Sequence, residues 1–372
     1  MRSSKPFITA DNITVRLRDR LILQNSFWQI NSDEHWAILG PNGSGKSTLV
    51  RSLWGGVPLQ SGRIIYNFAS QETQTQLVSQ RDAFGYVSFE MHQSLMEYEE
   101  SQENLREYAG KKDEVTTTQD VIFSGILANR AVTPADEERF FKVVDQLDIR
   151  NLLQRSITSL STGEMRKTLI ARALIKSPKL LILDEPFDGM DGRAQAFLTE
   201  SINHLMTGSM RVILVVHRLE EVVPNITHVL LVKNGQLFMQ GLKDEALTSE
   251  NISKLYGFNL HLEKTNQGYR VSYGVERSDR IGTRVLTRDI PRDVPEVLIE
   301  MKDTTVQYND LVVLDKLNWS MRRGENWVIL GPNGSGKSTI VKLILGDNLQ
   351  GYANQIMLFG KRKGSERIRV RS

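Results

Sequence analysis

Twice in this chain a lysine and a hydroxyl follow directly on a glycine-rich turn. Gly40-Pro41-Asn42-Gly43-Ser44-Gly45-Lys46-Ser47 obeys the spacing G-x-x-x-x-G-K-[ST], with Thr48 next in line. The residue types suit a triphosphate. Glycines let backbone N–H groups wrap an anion, a helix N-terminus favours negative charge, Lys46 pairs with β- and γ-oxygens, and Ser47 ligates Mg2+. A bare glycine-rich turn is the competing reading. The recurrence of the pattern at Gly331, Gly334, Gly336, Lys337, Ser338 and Thr339 speaks against it.

Three further groups carry chemistry. The apolar run Leu180 to Leu183 ends in Asp184 and Glu185, followed by Pro186. A buried strand would deliver both acids to its carboxyl edge, where Asp184 reaches Mg2+ and Glu185 polarises an attacking water. The run Arg211 to Val216 ends in His217, one of six histidines. A lone histidine after a strand is usually structural, but beside a phosphate loop and an acid pair it reads as a γ-phosphate contact. Between loop and acids, Leu160-Ser161-Thr162-Gly163-Glu164 opens a stretch of helical spacing. Ser161, Thr162 and the Gly163 backbone make a second anion site at a helix start, one more than a single nucleotide needs. Two domains facing head to tail would use both, the loop of one and the serine-glycine turn of the other gripping each ATP.

The elements that must position these groups come in two copies. Trp36 to Thr48 returns as Trp327 to Thr339 with one change, an offset of 291 that holds from Val15/Val306 to Gly55/Gly346. We therefore expect a first domain over residues 5–258, a polar linker over 259–296 and a second, incomplete domain over 297–372. In the second domain we expect a strand pair, one buried strand and one helix, and in the closing KRKGSERIRVRS a solvated basic tail.

Each domain should be α/β, a mainly parallel core sheet with an antiparallel strand group (Phe7 to Ile30, Gly62 to Tyr66). A helical lobe near Val115 to Leu160 should carry the Ser161 turn. The acidic stretch after Phe89 reads as a solvated helix.

With 372 residues, 40% hydrophobic and 24% charged, the chain is long enough for two cores. Its 47 Lys+Arg against 44 Asp+Glu disfavour a protein that coats nucleic acid. The absence of cysteine excludes disulfides, thiolate metal sites and cysteine nucleophiles. No apolar run is long enough to cross a bilayer, so direct membrane insertion is not expected.

The order phosphate loop, LSTGE, LLILDEP, Phe187-Asp188-Gly-Met-Asp191 and VVHR resembles the nucleotide-binding domain of ABC ATPases across residues 5 to 240. The paired domains and the short connector are similar to the ModF group of that family. The resemblance implies a P-loop fold of ABC type, ATP and Mg2+ as ligands and ATP hydrolysis. Ser161 and Gly163 then stand in the signature, Asp188 to Asp191 in the D-loop, and His217 at the switch position. It also implies a facing ABC domain in trans or a complete second copy, a membrane permease as partner, and a cytoplasmic location, peripheral at the membrane.

Two positions depart from the family pattern. Tyr308 sits where the family stacks an aromatic on adenine, but its counterpart in the first copy is Leu17. Phe89 replaces the glutamine of the Q-loop, where Glu90 or Gln93 would have to substitute. The alternative function is a soluble ABC-F-type protein acting on ribosomes or nucleic acid. Its long charged helical connector is not matched by a linker containing Gly268, Gly274, Gly282, Pro291 and Pro295. A kinase or GTPase would have no use for LSTGE, and an inactive paralogue would not need Lys46, Asp184, Glu185 and His217.

Overall fold

A computed structural model of the chain describes residues 5–68, 82–108, 115–127, 131–208, 210–265, 268–273, 295–308, 311–332, 334–345, 350 and 353–362. Two compact units part between Val275 and Glu276. The first runs β1 (Pro6–Leu17), β2 (Arg20–Asn31), β3 (Trp36–Leu39), α1 (Lys46–Leu53), β4 (Ser61–Tyr66), β5 (Phe84–Ser88), α2 (Phe89–Tyr108), α3 (Thr118–Leu127), α4 (Pro134–Gln146), α5 (Thr162–Leu174) and β6 (Leu180–Asp184). It continues through α6 (Gly192–Thr207), β7 (Arg211–Val216), β8 (His228–Lys233), β9 (Gln236–Leu242), α7 (Lys243–Ala246), α8 (Ser249–Tyr256), β10 (Leu260–Thr265) and β11 (Gly268–Tyr273).

The core is a six-stranded sheet in the order β5-β6-β7-β3-β8-β9, parallel except for β8 with β9. Its central strands are apolar along their whole length because both faces are covered. Alternate residues enter two separate cores. Ile38, Ile182, Ile213 and Val215 pack with Leu49, Val50 and Leu53 of α1 and with β1 and β2. Leu39, Leu181, Leu183, Leu214 and Val216 pack on the other side with α4, α5 and α6. The antiparallel sheet β2-β1-β4 lies over the first of these cores, as expected for Phe7 to Ile30 and Gly62 to Tyr66. The helical lobe forms from α3 and α4, and α4 starts at a capping box between Thr133 and Asp136, with Pro134 at its first position.

The stretch expected to be linker folds from its start. β10 and β11 pair in register from Leu260↔Tyr273 to Thr265↔Gly268. Leu260 and Tyr269 are buried in the first unit's core, and the Tyr269 hydroxyl donates to Asp244 at 2.7 Å. The stretch is polar on one face only, so its average composition hides a half-buried hairpin. Residues 274–294 lie outside the described residues.

The second unit contains β12 (Val297–Tyr308), β13 (Leu311–Arg322), α9 (Lys337–Leu345), β14 (Gln355–Leu358) and β15 (Lys361–Arg362), with sheet order β13-β12-β14-β15. Val306 opposes Leu314 as Val15 opposes Leu23. The expected buried strand after β13 is absent. Residues 325–330 carry no strand, and Trp327, Val328 and Leu330 are 52%, 76% and 85% exposed. In the first unit the equivalent strand is held between β7 and β8, and no strand of the second unit's described residues takes those places. The expected basic tail lies, from residue 363 on, outside the described residues.

Candidate nucleotide site

Strand order assembles the site. β3, β7 and β6 are consecutive neighbours, and their carboxyl ends lead to the loop 40–45, to His217 and to Asp184-Glu185. Residues distant in sequence thus meet at one sheet edge, where α/β folds bind ligands.

The loop is shaped by close approach. A side chain at Gly40 would put its Cβ 2.1 Å from the Val232 carbonyl oxygen. Gly43 and Gly45 adopt left-handed conformations with φ of 75° and 103°, which favour glycine. Lys46 is buried, and its Nζ donates to the carbonyl oxygens of Gly40 and Pro41 at 2.8 and 3.1 Å. Burial lowers its pKa, while the negative charges of Glu185 and Asp184 work against that shift. The hydroxyl of Ser44 is buried without a partner among the described residues. A buried idle donor in a glycine turn beside a lysine is what a bound phosphate would satisfy.

Asp184 ends β6 and is held on both oxygens. Ser47 donates to Oδ1 at 3.1 Å and Tyr86, in β5, donates to Oδ2 at 2.8 Å. Burial raises the Asp184 pKa, and these two hydrogen bonds pull it back. Ser47 and Asp184 are adjacent hard oxygen donors, the set a small divalent cation prefers. Burial and the neighbouring Asp184 charge push the Tyr86 hydroxyl well above its ordinary value, so it remains a donor.

Glu185 leaves the strand in a left-handed conformation, φ 54°, uncommon for a residue with a side chain. Its Oε1 lies 2.8 Å from Nε2 of His217. The His217 peptide is fixed in turn, its N–H donating to Glu221 and its carbonyl accepting from the Tyr256 hydroxyl. Asp188 completes a cluster in which polar atoms of Glu185, Asp188 and His217 all lie within 4.8 Å of one another. Such a group can orient a water molecule and accept its proton.

Ser161 caps α5. Its hydroxyl accepts from the Glu164 N–H at 3.3 Å, and its own N–H donates to the Glu164 carboxylate at 2.8 Å. Gly163 has a packing role as well, since a Cβ there would stand 3.3 Å from that of Ala194. In the second unit Lys337 repeats the curl of Lys46, donating to Gly331 and Pro332 carbonyls at 2.8 and 2.6 Å. Gly334 and Gly336 are again left-handed, with φ of 80° and 87°. Tyr308 ends β12 opposite Leu311, as Leu17 ends β1 opposite Arg20, and Leu17 is exposed.

Sequence reasoning anticipated neither the contact of Tyr86 with Asp184 nor the complete burial of Arg166 in α5. The parallel register of β5 on β6 brings Tyr86 to the acid end, and no spacing rule announces it. Arg166 carried a signal in retrospect, a charge on the apolar side of a helical pattern.

A mainly parallel sheet with a glycine-lysine loop, an acid pair and a histidine at one edge defines a P-loop nucleotide-binding domain. The family model described as "ABC transporter" matches residues 23–188 and 314–370. The ABC transporter ATP-binding protein ModF of Escherichia coli (strain K12) is 34% identical over 95% of this chain and 65% of its own length. An uncharacterized ABC transporter ATP-binding protein of Schizosaccharomyces pombe is 26% identical over 92% of this chain and 64% of its own. The ADP conformation of MJ1267, an ATP-binding cassette of an ABC transporter, superposes with a TM-score of 0.55 at 20% identity, covering 68% of this chain and 98% of that one. The chain belongs to the ABC transporter family, in its ATP-binding part. It spans slightly less than two thirds of the length of those two curated relatives. Among the described residues no helix is long and apolar enough to cross a membrane.

Proposed function

We propose that the first unit binds Mg-ATP at residues 40–48 and hydrolyses it once a facing ABC domain presents Ser161 and Gly163 to the same nucleotide. The 2.8 Å pair of Glu185 and His217 beside Lys46 carries this reading. Lys46 would exchange the loop carbonyls for phosphate oxygens, and Ser44 would donate to the same anion. Ser47 and Asp184 would hold Mg2+, which supplies charge neutralisation at the phosphates when bound. Glu185 takes a proton from water as the oxygen attacks the γ-phosphorus and the bond to the bridging oxygen breaks, giving ADP and phosphate. His217 donates to Glu185 from Nε2 and keeps the carboxylate aimed at the attacking water.

Closure and reopening of the paired domains would then move a membrane permease, which makes the chain the energising part of a transport system in the cytoplasm. A connector whose sequence holds Gly274, Gly282, Pro291 and Pro295, in place of a long charged helical pattern, supports this over an ABC-F-type role on ribosomes or nucleic acid. Lys337, Ser338 and Thr339 would bind a second nucleotide, with Tyr308 against its base. The test is ATPase rate against protein concentration. A facing domain in trans requires a rate that rises more steeply than concentration; strict proportionality, with Glu185→Gln fully active, removes the proposal.

A further inference from the structure

Arg166 lies within one helical turn of Gly163 on α5 in no obvious role, yet it is completely buried. One Nη1 hydrogen bond of 2.9 Å reaches the Ser88 carbonyl at the end of β5, and the guanidinium carbon stands 5.6 Å from the centre of the Phe89 ring. Its Nε and Nη2 have no partner among the described residues. A buried cation with two idle donors costs stability, and an apolar side chain of the same length would fill the space with less penalty. Packing alone therefore gives no reason for an arginine.

Its surroundings do. Burial lowers the Arg166 pKa to about 10, and the charge of Asp188 opposes that shift. Asp188 in turn belongs to the cluster with Glu185 and His217. Phe89, which the guanidinium overlies, lies 3.6 Å from where a Gly189 Cβ would be, so the ring sits beside the turn. Burial and then Arg166 lower the pKa of the nearby His92, and the charge that acts on Arg166 in the favourable direction is that of Asp188. One side chain of α5, the helix that Ser161 caps, thus bears on the end of β5, on Phe89 and on the turn after Glu185.

We propose that Arg166 is a positioning residue that ties the turn Glu185–Asp191 to α5, so that movement of the Ser161 turn reaches the Glu185–His217 pair. Its two idle N–H groups receive the Asp188 carboxylate when that turn shifts. Phe89, in the place of the family's Q-loop glutamine, is the apolar wall along which the guanidinium lies.

The inference rests on the hydrolysis reading above, and its test separates the two. In the full chain, Arg166→Met should lower kcat by about tenfold or more while KM for ATP stays within about threefold and the melting temperature is unchanged or higher. Arg166→Lys should recover part of kcat. With Mg-ATP bound, when the turn has shifted onto Arg166, amide exchange at residues 185–191 should quicken about tenfold in Arg166→Met relative to the unmutated chain, because the bonds Glu185 N–H to Val215 and Met190 N–H to Phe187 lose their brace. Unaltered exchange there overturns the proposal. So does a loss of kcat accompanied by an equal loss of affinity and of thermal stability in both variants. If the unmutated chain does not hydrolyse ATP, the hydrolysis reading falls and the exchange result alone decides on Arg166.

Discussion

His217 Nε2 and Glu185 Oε1 lie 2.8 Å apart, and nothing local in the chain brings them there. β7 lies directly beside β6 in the sheet, and the left-handed backbone at Glu185 turns its side chain toward the neighbouring strand end. The backbone of Glu185 is secured by its N–H donating to Val215, in β7 itself. The pair is therefore built by adjacent strands, and each member can be removed with the other's backbone left in place.

Glu185→Gln keeps the shape and removes the proposed proton acceptor. Hydrolysis should fall by about 100-fold or more while nucleotide binding is retained, and His217→Ala should lose about as much with binding equally preserved. Steady-state phosphate release alongside fluorescent-nucleotide titration checks both. A Glu185→Gln rate within a few-fold of the unmutated chain would remove Glu185 from the chemistry.

A cation held at Asp184, as proposed, would compete there with protons. Burial holds its carboxyl above the ordinary value, so cation-dependent nucleotide binding should be lost, as pH falls, earlier than for a free aspartate. Tyr86→Phe deletes one of the two hydrogen bonds that lower the pKa, so the proton is held more tightly and the loss should move to higher pH still. Mn2+ titration at a series of pH values reads the midpoint. An unmoved midpoint in Tyr86→Phe would mean that Tyr86 does not set it.

The hairpin β10-β11 should contribute to the stability of the first unit. Tyr269→Ala in the full chain empties a buried site and frees Asp244 from its hydroxyl donor, at a cost of about 3 kcal/mol. Urea unfolding followed by tryptophan fluorescence measures it. A change below about 0.5 kcal/mol would make the hairpin a surface ornament of the unit.

Amide exchange should distinguish the two copies of one sequence. Residues 36–39, paired on both sides, should exchange at least about a thousandfold more slowly than residues 327–330, which carry no strand. Mass-spectrometric exchange on the same sample supplies both values. Equal protection would mean that the second stretch pairs with something.

How far the chain speaks for itself is clearest in Trp36 and Trp327. Both indoles donate to a glutamate two residues back at 2.9 Å, Glu34 and Glu325. Both meet a second tryptophan edge-on, Trp28 at 5.4 Å and Trp319 at 5.6 Å. These are local arrangements, and near-identical sequence reproduces them. Burial is not local: Trp36 is 3% exposed and Trp327 52%. The glycine-rich turns before Lys46 and Lys337 and the helix start at Ser161 were legible because turn and capping chemistry are short-range. The pairing of β3 with β7 and β8, the meeting of Tyr86 with Asp184, the burial of Arg166 and the docking of the hairpin required strands from distant parts of the chain. Those were decided by the tertiary structure, since a strand's hydrogen bonds and both its apolar faces are completed only by neighbours that the local sequence does not contain.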